Sequence, residues 1–184
     1  EDHYILDAFR ENNQILRNPE CTVHEIGDGV MCIEFQTKGN SIGEGIAKGI
    51  NEAIDIAERD GWNGIVIGNN DKQFSVGANL MNMGMMAMQK NFDEIEKFLV
   101  GFQKILMRMR TCNVPVVSAT HGFVMGGGLE VSIHCDAGIH ASEAYIGLVE
   151  AGVGLIPGGG GTKEMAMRAS DSFNSGDVKM PSLI

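Results

Sequence analysis

The segment HGFVMGGGLE, residues 121–130, contains three consecutive glycines followed by a leucine and a glutamate. An apolar strand is predicted just before it, over residues 115–119, and a short helix over residues 128–134. Glycine lets the backbone approach a bound group closely, and unpaired N–H groups at a helix start attract negative charge. The segment therefore predicts a turn that presents backbone amides, with Glu130 on the first turn of the helix that follows.

Strands and helices alternate along the rest of the chain. Apolar residues at helical spacing predict amphipathic helices over residues 44–59 and 93–110. Further elements are a lead-in helix predicted over residues 4–18, which Pro19 ends, and strands predicted over residues 30–35, 65–67, 137–140 and 145–147. This alternation predicts an α/β fold with largely parallel strand pairing.

Composition excludes several classes of protein. The chain has 14 Lys and Arg against 24 Asp and Glu, a formal charge of −10, and no basic cluster, so nucleic acid is not an expected partner. No apolar stretch approaches the roughly 20 residues that cross a bilayer, and no secretory signal is recognisable. The sequence starts without Met, and its four cysteines form no CxxC pair. We expect a piece of a longer, cytoplasmic protein with buried, reduced thiols.

Two more segments combine glycine with chemistry-bearing residues: FSVGAN at 74–79, and GLVE at 147–150, which runs on to IPGGGGT at 156–162. A nucleotide-binding loop is an alternative reading of the glycine runs, but neither G-x-G-x-x-G nor G-x-x-x-x-G-K-[ST] is completed. His134, Cys135, Asp136 and His140 lack the usual spacing of a structural zinc site, so no metal site is predicted.

Taken in order, the three segments resemble the crotonase (enoyl-CoA hydratase/isomerase) superfamily. There they read approximately F-x-A-G-A-D, N-G-x-x-x-G-G-G-x-E, and G-x-P-E followed by G-x-x-P-G-x-G-G-T; the likeness covers about residues 23–168. The resemblance implies an α/β spiral of ββα repeats, truncated here before the C-terminal helical region, and assembly as a trimer-type homo-oligomer. It implies three parts: a lead-in helix or linker over residues 1–21, a core over 22–170, and a connection to a missing C-terminal region over 171–184.

The resemblance also implies roles for individual residues. Glu130 would activate water, and Glu150 would exchange a proton at the α-carbon of an enoyl-CoA, giving a 3-hydroxyacyl-CoA. The backbone N–H groups of Val76 and Gly127 would form the oxyanion hole for the thioester oxygen. The resemblance implies no metal or redox cofactor. Coenzyme A would be present only as part of the substrate. The remaining positions expected to contact substrate or CoA are Lys38, Ser75, Gly77, Ala78, Asn79 and Gly126.

A closer likeness connects the chain with large bacterial fatty-acid-oxidation proteins. The lead-in DAFRENNQILRN and the ending GGGGTKEMAMRASDSF resemble the hydratase part of proteins that also carry a 3-hydroxyacyl-CoA dehydrogenase. A fused or associated dehydrogenase domain is therefore an expected partner. The presence of both glutamates favours hydration over isomerisation or thioester hydrolysis. A non-catalytic oligomerisation module is the alternative from another class, and whether this piece is active alone stays open.

Three features can be interpreted either structurally or functionally. Glu130 could serve only to stabilise a helix N-terminus. Glu150 could be a surface carboxylate, although its apolar neighbours predict partial burial. The five methionines within residues 81–88 are interpreted as helix packing, with a pliable wall for an acyl tail as the alternative.

Overall fold

The computed structural model describes residues 6–10 and 12–175. The strands are β1 (Gln14–Arg17), β2 (Cys21–Glu25), β3 (Val30–Phe35), β4 (Gly64–Ile67), β5 (Val116–Thr120), β6 (Phe123–Met125), β7 (Ala137–His140) and β8 (Tyr145–Gly147). The α-helices are α1 (Asp7–Arg10), α2 (Glu44–Asp60), α3 (Leu80–Met88), α4 (Phe92–Thr111), α5 (Gly127–Ile133) and α6 (Gly161–Ser175). Two 3₁₀ turns lie at Lys38–Asn40 and Glu150–Val153.

Six strands form the central sheet in the order β1-β2-β3-β4-β5-β7, and β6 pairs with β8 in a second, small sheet. Pairing is antiparallel from β1 to β3 and parallel from β3 through β4 and β5 to β7. The predicted α/β class with largely parallel pairing is confirmed. The carboxyl ends of β5, β6 and β8 lead into the turns that carry the predicted chemistry.

The predicted lead-in helix is only partly correct. Within the described part of residues 4–18, helix covers Asp7–Arg10, and Gln14–Arg17 is a strand; residues 4, 5 and 11 lie outside the described ranges. β1 pairs with β2, with Leu16 opposite Val23, and this pairing overrides a weak helical spacing. β2 itself was not predicted, because four of its five residues are buried and no alternation marks it.

Helix α2 packs directly on the sheet. Its buried residues include Ile46, Ile50 and Ile54 at helical spacing, and it contacts β2, β3 and α4. Gly49 lies on this face, and a Cβ there would come within 2.1 Å of the Cys21 sulfur. The close approach of α2 to β2 therefore requires glycine at this position.

We expect Gly49→Ala to destabilise the chain by about 1–3 kcal/mol, because the added methyl overpacks a full core. Gly101→Ala in α4 is the matched control: no atom lies within 4 Å of its added Cβ, so it should stabilise by about 0.5–1 kcal/mol through helix propensity. Denaturant unfolding of both variants measures the difference. Equal stability of the two would contradict the packing described here.

The methionine helix α3 is exposed. None of its side chains is buried, and Met81 and Met88 are 77% and 88% exposed. The predicted helix is present and packs against α4; the alternative, a pliable wall for an acyl tail, stays a prediction. No helix in the described ranges is both long and apolar enough to span a membrane.

Candidate active site

Glu130 is buried at the α5–α6 junction. Only 2% of the residue is exposed, and its Oε1 accepts a hydrogen bond of 2.9 Å from the Gly161 N–H. The neighbouring glycines make room for the carboxylate, because a Cβ on Gly159 would lie 2.5 Å from Oε2. Burial raises the pKa of Glu130; the Gly161 amide opposes this shift, and the negative charge of Glu150 adds to it.

Glu150 begins the 3₁₀ turn after β8, and its residue is half-buried. Its Oε2 is buried and has no hydrogen-bond partner among the described residues. The carboxylate lies against Gly126, where a Cβ would be 2.8 Å from Oε1 of Glu150. Gly126 is the N-cap of α5, the helix that carries Glu130, and its N–H donates to the Gly147 carbonyl (2.9 Å). The structure therefore brings Glu150 to the start of the helix that carries Glu130.

One of the two backbone donors differs from those predicted. The Val76 N–H donates to the Gly39 carbonyl at 3.1 Å, so it is not free to bind an oxyanion, and its assignment to the oxyanion hole is wrong. The Ala78 and Gly127 N–H groups donate to no acceptor within the described ranges. Ala78 N lies 3.4 Å from the position that a Cβ on Gly127 would occupy. The two unpaired amides that lie close together at the start of α5 are therefore those of Ala78 and Gly127.

Gly77 turns the chain between Val76 and Ala78. Its φ is +92°, a conformation that favours glycine, and an added Cβ would lie 2.8 Å from the Met125 carbonyl oxygen. Val76 is then tied to Gly39, while the Ala78 amide stays free. The glycine between Val76 and Ala78 is the sequence signal that their N–H groups point in different directions. The sequence does not show which of the two N–H groups is left unpaired.

Ser75 and Asn79 have structural roles that were not predicted. The Ser75 hydroxyl is buried, donates to the Asn40 carbonyl (2.7 Å) and accepts from the Gly77 N–H (3.1 Å), so it is not a substrate contact. The Asn79 side chain caps α3 by accepting from the Asn82 N–H (3.3 Å). Lys38 is exposed beside Gly39, next to the loop, and its predicted contact with CoA stays a prediction.

The histidines near the site are engaged elsewhere. His121 bonds the Asp71 carbonyl through Nε2 (2.6 Å), and His140 bonds the Thr120 hydroxyl through Nδ1 (2.6 Å). Within residues 6–10 and 12–175, no three His, Cys, Asp or Glu side chains converge as a metal-binding group. Burial raises the pKa of Cys32 and of Cys135 to about 12, so these thiols are poor nucleophiles.

An α/β core with two glutamates near a glycine-rich helix start combines groups that can exchange protons with unpaired amides that can stabilise negative charge on an oxygen. The family model described as enoyl-CoA hydratase/isomerase matches residues 25–175. The chain therefore belongs to the enoyl-CoA hydratase/isomerase family, as its three glycine-containing segments predicted.

The chain is also similar to individual proteins whose names fit this family. The "Probable 3-hydroxyacyl-CoA dehydrogenase" of Bacillus subtilis is 41% identical over 175 residues, which is 92% of this chain and 22% of that protein. The short-chain-enoyl-CoA hydratase of Clostridium acetobutylicum is 36% identical over 102 residues, 55% of this chain and 38% of that protein. The chain thus spans between about a fifth and two fifths of the length of these relatives.

The fold matches solved structures. The crystal structure of an enoyl-CoA hydratase from Polaromonas sp. JS666 superposes with a TM-score of 0.76 over 80% of this chain and 58% of that chain, at 24% identity. At that identity the likeness concerns the fold alone. It confirms the predicted crotonase-like architecture.

Proposed function

We propose that the chain is an enoyl-CoA hydratase module that adds water to a trans-2-enoyl-CoA and forms a 3-hydroxyacyl-CoA. The observation that carries the proposal is that Glu150 lies against the N-cap of the helix that carries Glu130, near enough for its charge to raise the pKa of Glu130, while the Ala78 and Gly127 amides are unpaired at the same helix start. Hydration needs a base for water, a proton for the α-carbon and donors for the enolate oxygen. This arrangement offers all three.

In the proposed mechanism, Glu130 takes a proton from water as the oxygen bonds to the β-carbon. The carbon–carbon double bond opens towards the thioester, whose oxygen becomes negative and accepts from the Ala78 and Gly127 N–H groups. One such donor is worth about 3 kcal/mol of barrier. Glu150 then gives a proton to the α-carbon. Transfer of one proton from Glu130 to Glu150 returns both residues to their starting protonation states. The product has gained one water molecule in total.

The proposal extends to cofactors, the CoA contact and the partners of the chain. The mechanism needs no metal or redox group, and CoA enters as part of the substrate; Lys38 is the proposed contact for its phosphates. The name of the Bacillus subtilis relative supports a fused or associated dehydrogenase that would consume the 3-hydroxyacyl product. We also propose a homo-oligomer in the cytoplasm.

Loss of the conjugated enoyl-thioester absorbance with crotonyl-CoA and longer enoyl-CoAs tests the hydratase activity. Hydration in the presence of the chain is the expected result. Migration of a double bond in 3-enoyl-CoA without hydration would favour an isomerase, and release of free CoA thiol would favour a hydrolase. Absence of CoA binding by calorimetry would favour the non-catalytic oligomerisation module.

The pH dependence of kcat/KM should report the raised pKa of Glu130. Because Glu130 must be ionised to act as the base, the acidic limb of the kcat/KM profile should rise with pH, with a midpoint above the ordinary value of 4.5. Burial favours the protonated form of Glu130, so this acidic limb lies nearer neutrality than for a free glutamate. A midpoint at or below the ordinary value would contradict the environment described for Glu130.

A further inference from the structure

Helices α5 and α6 meet at two levels. At the first, the Gly161 N–H at the start of α6 holds the Glu130 carboxylate. At the second, one turn further along each helix, Nε2 of His134 lies 3.9 Å from Oε2 of Glu164. His134 and Glu164 are 1% and 0% exposed, although both are polar. The mechanism proposed above uses neither residue.

His134 holds the main chain of Glu130. Its Nδ1 lies 2.7 Å from the Glu130 carbonyl oxygen, and because a carbonyl only accepts, Nδ1 carries the proton. The backbone N–H of His134 donates to Val131 instead (3.2 Å), so the helical bond that would satisfy the Glu130 carbonyl is replaced by the ring. Burial lowers the pKa of His134, which keeps the ring neutral at pH 7.

Glu164 holds the first turn of α6. Its Oε1 accepts from Arg110 at the end of α4 and from Nε of Arg168 on α6, the latter at 3.1 Å. Arg168 also donates to the Cys135 carbonyl at 2.7 Å, directly after α5. A fully buried carboxylate is tolerated only with such charge partners. The start of α6 is thereby tied to α4 and to the end of α5.

We infer that His134 and Glu164 are positioning residues for Glu130, an inference that rests on the proposed hydratase function. His134 holds the main chain of Glu130 from α5, and Glu164 fixes the turn of α6 whose Gly161 amide holds the carboxylate. Release of either contact would let the carboxylate shift relative to the water and the β-carbon. A misplacement of about 1 Å costs about 10²-fold in rate.

The test compares three variants of the full chain. His134→Leu removes the donor at similar volume, and His134→Asn keeps an N–H donor near the position of Nδ1. Ser132→Ala is the matched control: it removes another buried α5 bond, between the Ser132 and Ser118 hydroxyls (2.8 Å), without touching Glu130 or α6. We expect His134→Leu to lower kcat by about 10- to 100-fold with KM unchanged, His134→Asn to recover most of the loss, and Ser132→Ala to keep the parent kcat.

The Gly161 amide provides a readout that needs no turnover. In ¹H–¹⁵N spectra of the full chain, His134→Leu and Glu164→Gln should each shift the Gly161 resonance in the direction that Glu130→Gln shifts it, and Ser132→Ala should leave it in place. An unmoved Gly161 resonance in His134→Leu, or a kcat equal to that of the parent, overturns the positioning role while the hydratase proposal stands. If the parent shows no hydration, the proposed function fails, and the Gly161 shifts still decide whether His134 and Glu164 position Glu130.

Discussion

Glu130→Gln is expected to lower kcat for enoyl-CoA hydration by about 10²- to 10⁴-fold, because the amide cannot take a proton from water. The variant should also unfold at a higher temperature than the parent at pH 7. Folding raises the pKa of Glu130, so the stability linked to its protonated form is present at low pH and lost as pH rises through the folded-state pKa. Glutamine removes that cost and still offers an oxygen to the Gly161 N–H. Steady-state kinetics and thermal unfolding at pH 7 and at about pH 5 measure both effects, and the stability difference should shrink at the lower pH.

Glu150→Gln should produce a loss of similar size, since the α-proton then lacks its donor. Glu25→Gln is the matched control: it removes one carboxylate charge at an exposed position on β2 and should leave kcat unchanged. Near-parental activity in both Glu130→Gln and Glu150→Gln would end the two-glutamate mechanism. Loss of activity accompanied by loss of cooperative unfolding would instead assign the glutamates to the fold.

Gly77→Ala is expected to lower kcat by about 10²- to 10³-fold, the size of effect found when one oxyanion donor is lost. Its φ of +92° strains any larger residue, and its Cβ would lie 2.8 Å from the Met125 carbonyl oxygen and 3.1 Å from Gly127 N. Both atoms belong to the backbone, so relief requires the Ala78 loop and the α5 start to move apart. The two free amides would then no longer converge on one oxygen.

The control for this variant is Gly152→Ala in the 3₁₀ turn after Glu150. No atom lies within 4 Å of its added Cβ, so kcat should stay near the parental value. Kinetics with crotonyl-CoA, together with the affinity for a non-reactive acyl-CoA, separates loss of the transition-state contact from loss of binding. A kcat of Gly77→Ala equal to that of Gly152→Ala would remove Ala78 and Gly127 from the mechanism.

Local patterns in the sequence determined much of the framework. The periodicity of α2 and α4 predicted both helices to within one residue at each end, because each buries one apolar face along its own length. Strands β3, β4, β5, β7 and β8 were likewise recognised as short apolar runs bounded by turns. The glycine segments and the two glutamates were sufficient to identify the family, since residue identity and spacing are properties of the chain itself.

The tertiary structure alone decided which groups meet. Pairing with β2 made a strand of residues predicted as helix, and the turn at Gly77 freed the amide of Ala78 and occupied that of Val76. The packing of α6 on α5 placed the glycines before Gly161 around Glu130 and brought Glu164 next to His134. Hydrogen-bond direction and burial depend on groups far apart along the chain, and no spacing rule within one segment reports on them.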